Sequence, residues 1–176
     1  MSDQNAIRDR LAFAREIARE AGEITLTHFR RRGLLVETKR DGTPVTAADR
    51  EAEENLRALV ETRFPHDAIL GEEFGDKPGT SGFRWVFDPV DGTKSFVCGV
   101  PLYGTMVAVM QGDQPVIGVI NMPALGEAVS AAKGLGCTLE RVGQPPLPAR
   151  VSGVQDLREA VLVYTGMEVF RDSGRM

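Results

Sequence analysis

Apolar residues at Ile7, Leu11, Ala14, Ile17, Ala18, Ala21 and Ile24 recur at spacings of three and four, as one buried face of an amphipathic helix requires. The pattern predicts a first helix from about Asn5 to about Arg31. The tract Arg30-Arg31-Arg32-Gly33 reads as its last turn, with cations at the negative end of the dipole and glycine as cap. Leu34 to Thr38 predicts a short strand, and Asp41-Gly42-Thr43-Pro44 a turn by residue type. A second helix follows with Ala52, Leu56, Leu59 and Val60 inward, stopping before Phe64-Pro65.

Beyond that point the chain reads as strands. Ala68-Ile69-Leu70 is a short apolar run ending at Gly71-Glu72-Glu73, and Arg84 to Phe87 is another ending at Asp88-Pro89. Thr105–Met110 and Val116–Asn121 predict a hairpin around Gln111-Gly112-Asp113-Gln114, and Glu127–Ala132 with Cys137–Val142 a further antiparallel pair. Gln144 to Ala149, with three prolines, reads as a linker, and Ala160–Tyr164 as one more strand. No internal repeat is present. The order predicts an α+β fold, with two helices packed on one face of a mostly antiparallel sheet. Phe29, Leu56 and Val86 are core candidates without chemistry.

Composition narrows the function classes. At 176 residues, 42% apolar and 26% charged, the chain can bury one proper core. A net charge of -4 with interspersed signs argues against a nucleic-acid partner, because binding there depends on phosphate neutralisation by basic groups. No apolar run approaches the roughly 18 residues of a membrane span, and the polar start Met1 to Asn5 lacks a signal-peptide core. Cys98 and Cys137 stand in no metal or redox spacing and read as buried free thiols of a cytoplasmic protein.

The chemistry is concentrated between Gly71 and Phe96. Glu72 and Glu73 follow one strand, and Asp88-Pro89-Val90-Asp91-Gly92-Thr93 follows the next. Carboxylates delivered to one cleft resist ionisation together unless a cation offsets them. Oxygen donors without nearby His or Cys point to Mg²⁺ rather than Zn²⁺, and His28 and His66 form no paired spacing. Taken singly, Glu72-Glu73 is also a solvated acidic turn and Asp91-Gly92 a common β-turn. Gly92-Thr93 opening a short helix at Lys94-Ser95-Phe96 suits an anion, because N–H groups and helix dipole converge there. Cations beside an anion hole imply a phosphate ester. The spacing excludes a Walker A loop, since Thr93 separates Gly92 from Lys94. It also disfavours a phospho-aspartate mechanism built on Asp-x-Asp, because Asp88 and Asp91 are three apart. There is no Arg-His-Gly triplet for histidine-phosphatase chemistry.

Three motifs in order, Val45-Thr46-Ala47-Ala48-Asp49, Leu70-Gly71-Glu72-Glu73-Phe74-Gly75 and Trp85 through Phe96, resemble the inositol monophosphatase superfamily. The resemblance implies that Glu72, Asp88, Asp91 and the Val90 carbonyl hold the first metals and that Asp49 completes a further position and bonds Thr93. It implies two or three Mg²⁺ ions, Glu72 helping to activate the attacking water, and Thr93 and Asp49 orienting water from the other side. Gly92 and Thr93 amides would hold the phosphoryl oxygens, with Ser95 as substrate contact, in direct in-line hydrolysis of a small-molecule phosphate ester. Thr46-x-x-Asp49 is equally a capping box for the second helix, and both roles are compatible.

Lys94-Ser95-Phe96 and Gly99 to Thr105 look like the histidinol-phosphatase branch, with inositol-1-monophosphatase the alternative. Members of the superfamily are often dimers, though no residue here demands it. They also continue into a further α/β part carrying a Trp-Asp pair whose aspartate binds metal. Trp85 is the only tryptophan here, so that ligand has no counterpart. The expected division is therefore an α+β metal- and phosphate-binding domain over 1–148 and the start of an incomplete α/β domain over 149–176. Two readings follow: a phosphatase whose remaining segment is supplied elsewhere, or an inactive truncated remnant.

Overall fold

The computed structural model describes residues 3–40 and 42–161. Helix α1 spans Asp3–His28, strands β1 and β2 are Val36–Thr38 and Pro44–Thr46, and helix α2 is Ala47–Arg63. The strands that follow are β3 (Ala68–Gly71), β4 (Gly75–Lys77) and β5 (Phe83–Asp91). Then come the short helix α3 (Thr93–Val97), β6 (Gly104–Gln111), β7 (Gln114–Met122), β8 (Glu127–Ala132), β9 (Gly136–Arg141) and β10 (Leu147–Pro148). No described helix is long and apolar enough to cross a membrane.

The main sheet has the order β10-β9-β8-β7-β6-β5-β3-β4, while β1 and β2 form a separate hairpin. Every pairing in the main sheet is antiparallel except β3 with β5, which run parallel in the register Gly71↔Phe87. Strand β4 carries the chain back along the outer edge of β3, and Thr80 and Ser81 donate from their backbone to the His66 carbonyl. That crossover sets the chain down on the other side of β3, pointing the same way. The predicted α+β arrangement is observed, with both helices on one face of the sheet.

The helices are held by apolar burial. Ile17, Leu56, Val60, Ile69, Trp85 and Val109 are completely buried in one cluster joining α1, α2 and the sheet. Alternation along β5 sends Trp85 and Phe87 into this cluster, so Val86, expected in the core, lies half-buried on the opposite face. That open face also carries Leu70, Ala108, Gly118 and Ala131 in one row across the strands, and Met106, Ile120 and Val129 in the next.

A second cluster lies at the site end of the sheet. Val90, Phe96 and Tyr103 are buried with Ala48, and Phe29 packs against them, its ring 5.1 Å from that of Tyr103. Phe29 explains why α1 ends early. The helix stops at His28, and Arg30, not Gly33, is the first residue at positive φ (58°), so the chain turns to seat the ring. Arg30 then donates from Nε to the Gly99 carbonyl at 2.9 Å, a tertiary contact that the basic tract did not announce.

Other departures are local. The proline-rich 144–149 stretch is not wholly a linker, since Leu147 and Pro148 pair with Leu139 and Thr138. Strand β4 was not anticipated, because its residues Gly75-Asp76-Lys77 carry no apolar pattern. Of the expected strand Ala160–Tyr164, Ala160 and Val161 have no regular structure and the rest lies outside the described residues. Cys137 is half-buried as a thiol, but Cys98 is exposed, at the C-cap of α3.

One buried charge ties α1 to the sheet. Arg10 donates from Nε and Nη2 to both oxygens of Asp67 at 2.8 and 2.9 Å, and Trp85 Nε1 donates to the same carboxylate at 2.9 Å. The guanidinium lies over Phe83 at 3.9 Å and Phe64 at 4.5 Å. Burial alone would raise the Asp67 pKa; the donors Arg10, Ser81 and Trp85 outweigh it, so the carboxyl titrates below its ordinary value. This stabilisation is therefore fully present above the ordinary carboxylate pKa and is lost as pH falls through the lowered one. Asp67→Asn strands the buried Arg10 charge and is expected to cost about 3–5 kcal/mol at neutral pH, read by urea denaturation. The deficit should shrink as the pH is taken below the carboxylate range.

Candidate active site

The parallel pairing of β3 with β5 decides where the acidic residues meet. Parallel neighbours end at the same edge of a sheet, so the turn after β3 (Glu72, Glu73) and the end of β5 (Asp88, Asp91) share one rim. Strand periodicity poses a second problem, because residues three apart point to opposite faces of a regular strand. The β5–β6 ladder solves it by shifting register between Asp88 and Asp91. Pro89, lacking an N–H, sits in that irregularity without losing a ladder bond, and the buried Thr105 hydroxyl donates to its carbonyl at 2.9 Å.

Gly92 turns the chain at φ 86° into α3, and a Cβ there would come within 3.2 Å of the Leu102 carbonyl oxygen. Glycine is thus demanded both by backbone angle and by the close approach. Phe96 buries on the second cluster and fixes the short helix, while the Thr93 hydroxyl donates to the Val90 carbonyl at 3.0 Å. The result is an open cleft of about 230 Å³. One wall carries Glu72, Asp88, Val90 and Asp91, the floor is Gly92 to Ser95, and Thr43 and Pro44 of the β1–β2 hairpin face them.

Of the residues predicted from sequence, Glu72, Asp88, Val90, Asp91, Gly92, Thr93 and Ser95 are brought together here. Asp49 does not line the cleft. It is buried (2% exposed) and its Oδ2 accepts from the Thr46 amide at 2.8 Å and the Thr46 hydroxyl at 2.6 Å, the predicted capping box. Burial raises its pKa against those two donors. The expected Asp49–Thr93 bond is replaced by Thr93 donating to Val90.

Two residues escaped the sequence reading. Glu53, completely buried on α2, accepts from the Glu73 amide at 2.7 Å and from Arg57 Nε at 2.8 Å, so it anchors the acidic turn from below. Its pairing with Arg57 four residues on is the one signal that marked it. Gly71 is the small residue this requires, since a Cβ there would fall 1.8 Å from Glu53 Oε1. The other is Lys39, whose Nζ lies 2.6 Å from Glu72 Oε1 and 2.6 Å from Glu73 Oε1. Nothing in the spacing of Lys39 foretold it.

Asp88 Oδ1 is buried with no hydrogen-bond partner. Burial first, then Glu72 and Asp91, push the Asp88 pKa up to about 7. A buried carboxylate oxygen facing two more acidic groups is a costly arrangement for a protein to keep unless a cation relieves it. The donors are all hard oxygens, so the set fits a Mg²⁺-type ion. Among the described residues no three His, Cys, Asp or Glu side chains are arranged to surround an ion as they stand; Glu72 lies against both Lys39 and Asp88.

A family model described as the inositol monophosphatase family matches residues 7–171. The chain belongs to that family. A histidinol-phosphatase of Chlorobaculum parvum is 44% identical over 162 residues, covering 92% of this chain and 61% of the relative. One from Streptomyces coelicolor is 39% identical, covering 96% and 64%. Among solved structures, an IMPase of Thermotoga maritima superposes with TM-score 0.72 at 31% identity, over 82% of this chain and 54% of that one. The chain thus spans about three-fifths of the length of these curated relatives.

The Asp88 environment has a measurable consequence in metal-free protein. Its folded pKa lies above the ordinary 3.8, so the native state holds the extra proton between those values and loses stability as pH rises from about 4 to about 7. Asp88→Asn should flatten that slope in chelator-treated samples, read as melting temperature against pH.

Proposed function

We propose that this chain carries the metal- and phosphate-binding part of a Mg²⁺-dependent phosphomonoesterase acting on a small phosphate ester, histidinol phosphate first. The unpartnered buried oxygen of Asp88, beside Glu72 and Asp91 and above the Gly92–Ser95 floor, is the observation that carries this reading. The histidinol-phosphatase relatives favour that substrate over inositol phosphate. A product of that reaction would belong to histidine biosynthesis, a cytoplasmic process.

In this reading Glu72, Asp88, Asp91 and the Val90 carbonyl would hold the ions, and Asp49 supports Thr46 and the start of α2. Two or three Mg²⁺ would neutralise the phosphoryl oxygens and lower the pKa of the attacking water. Glu72, exposed on the cleft, would accept a proton from the attacking water. Thr93 orients water through its hydroxyl, whose proton is directed at Val90 and whose lone pairs remain available. The backbone amides of Gly92 and Thr93 bind the non-bridging phosphoryl oxygens, and Ser95 contacts the alcohol side of the ester. With no side chain attacking phosphorus, the displacement is in line and leaves no phosphoenzyme.

Purified chain incubated with Mg²⁺ and histidinol phosphate should release inorganic phosphate. Asp91→Asn and Glu72→Gln should each reduce release by more than the roughly 100-fold upper range of an outer-shell loss. Both should keep the wild-type circular dichroism spectrum, with a metal-free melting temperature equal or higher because carboxylate repulsion is relieved. Release from inositol phosphate in preference to histidinol phosphate would move the substrate assignment. No release above the Asp91→Asn background would support an inactive remnant.

A further inference from the structure

Lys39 sits one residue beyond β1, on the turn closed by its own N–H to the Thr43 carbonyl at 2.8 Å and by the Gly42 N–H to its carbonyl at 3.0 Å. The same turn supplies Thr43 and Pro44 to the cleft wall. Its ammonium bridges Glu72 and Glu73 at 2.6 Å each, and its side chain is only 20% exposed. The two carboxylates differ in freedom. Glu73 is 7% exposed and its backbone is tied to Glu53, whereas Glu72 is 44% exposed and lies on the cleft. The far side of the hairpin is fastened to α2 by the Arg50–Glu37 pair, with both nitrogens donating at 2.8 and 2.7 Å.

A cation bridging two carboxylates performs the neutralisation that a divalent ion would perform for Glu72 and Asp88. Glu72 cannot serve both, because the ammonium and the ion would meet at one carboxylate as like charges. We propose that Lys39 is an internal counter-cation that competes with the divalent ion for Glu72, so that ion binding displaces its ammonium from that carboxylate. In the metal-free protein the lysine holds Glu72 Oε1 while the same carboxyl group lies against Asp88. When the ion enters, Glu72 exchanges the ammonium for it and Lys39 retains Glu73. The inference rests on the divalent-cation reading of the cleft.

The test is a calorimetric titration of the purified 176-residue chain with Mn²⁺ alone, for wild type, Lys39→Met, Lys39→Arg and Asp91→Asn. Lys39→Met should bind Mn²⁺ roughly tenfold more tightly than wild type, the scale of one charge-assisted hydrogen bond released. Lys39→Arg, which keeps the charge, should bind within about twofold of wild type on the same scale. The metal-free melting temperature of Lys39→Met should fall and its Mn²⁺-induced rise should exceed that of wild type; Lys39→Gln replaces it if the Met variant does not fold. Unchanged or weaker Mn²⁺ binding by Lys39→Met, with wild-type uptake abolished by Asp91→Asn, overturns the competition and leaves the metal reading standing. No uptake by wild type or by Lys39→Met overturns both.

Discussion

A single parallel strand pair inside an otherwise antiparallel sheet organises the chemistry of this protein. Because β3 and β5 run the same way, their carboxyl-terminal ends coincide, and Glu72 meets Asp88 and Asp91 at one rim. Had β5 followed β3 as a hairpin, those groups would stand at opposite edges. The crossover through β4 and the 78–82 loop is therefore the topological requirement for the cleft, and ligand sites outside the carboxyl ends of parallel strands follow the same logic in larger sheets.

Gathering acidic groups has an electrostatic cost, and the fold offsets it in two ways. Asp49 and Glu53 are buried but receive backbone N–H groups, from Thr46 and from Glu73 and Phe74 respectively. Glu72 and Glu73 share the ammonium of Lys39. Asp88 has neither for its Oδ1, and its raised pKa records the deficit. Uncompensated negative charge in the cleft is thus concentrated at Asp88, while Asp49, Glu53, Glu72 and Glu73 each have a donor or the Lys39 ammonium. The apolar clusters keep this geometry rigid: Phe96 and Val90 clamp the Asp91–Thr93 turn, and the Arg10–Asp67–Trp85 contact holds β3 and β5 against α1.

The sheet's second face has a different character. Its rows of small and large apolar residues, from Leu70 to Ala131 and from Met106 to Val129, are only partly covered within the described residues. The family relatives are longer than this chain, and the row containing Met106 begins at Asp88 itself. Asp88 and the apolar row from Met106 to Val129 therefore lie on one continuous ladder.

Local patterns were enough to place both long helices, the β6–β7 and β8–β9 hairpins and the residues of the acidic segment. Periodicity and turn chemistry act over a few neighbours, and the sequence displays them directly. The Thr46–Asp49 capping box was legible for the same reason. Long-range partners were not: Arg10 with Asp67, Glu53 beneath Glu73 and Lys39 across Glu72 each join residues separated by 20 or more positions. The parallel register of β3 and β5, the irregularity that lets Asp88 and Asp91 share a cleft, and the early end of α1 at Phe29 also needed the tertiary structure. In each case, packing between elements distant in the chain chose among local conformations that the sequence left nearly equal in energy.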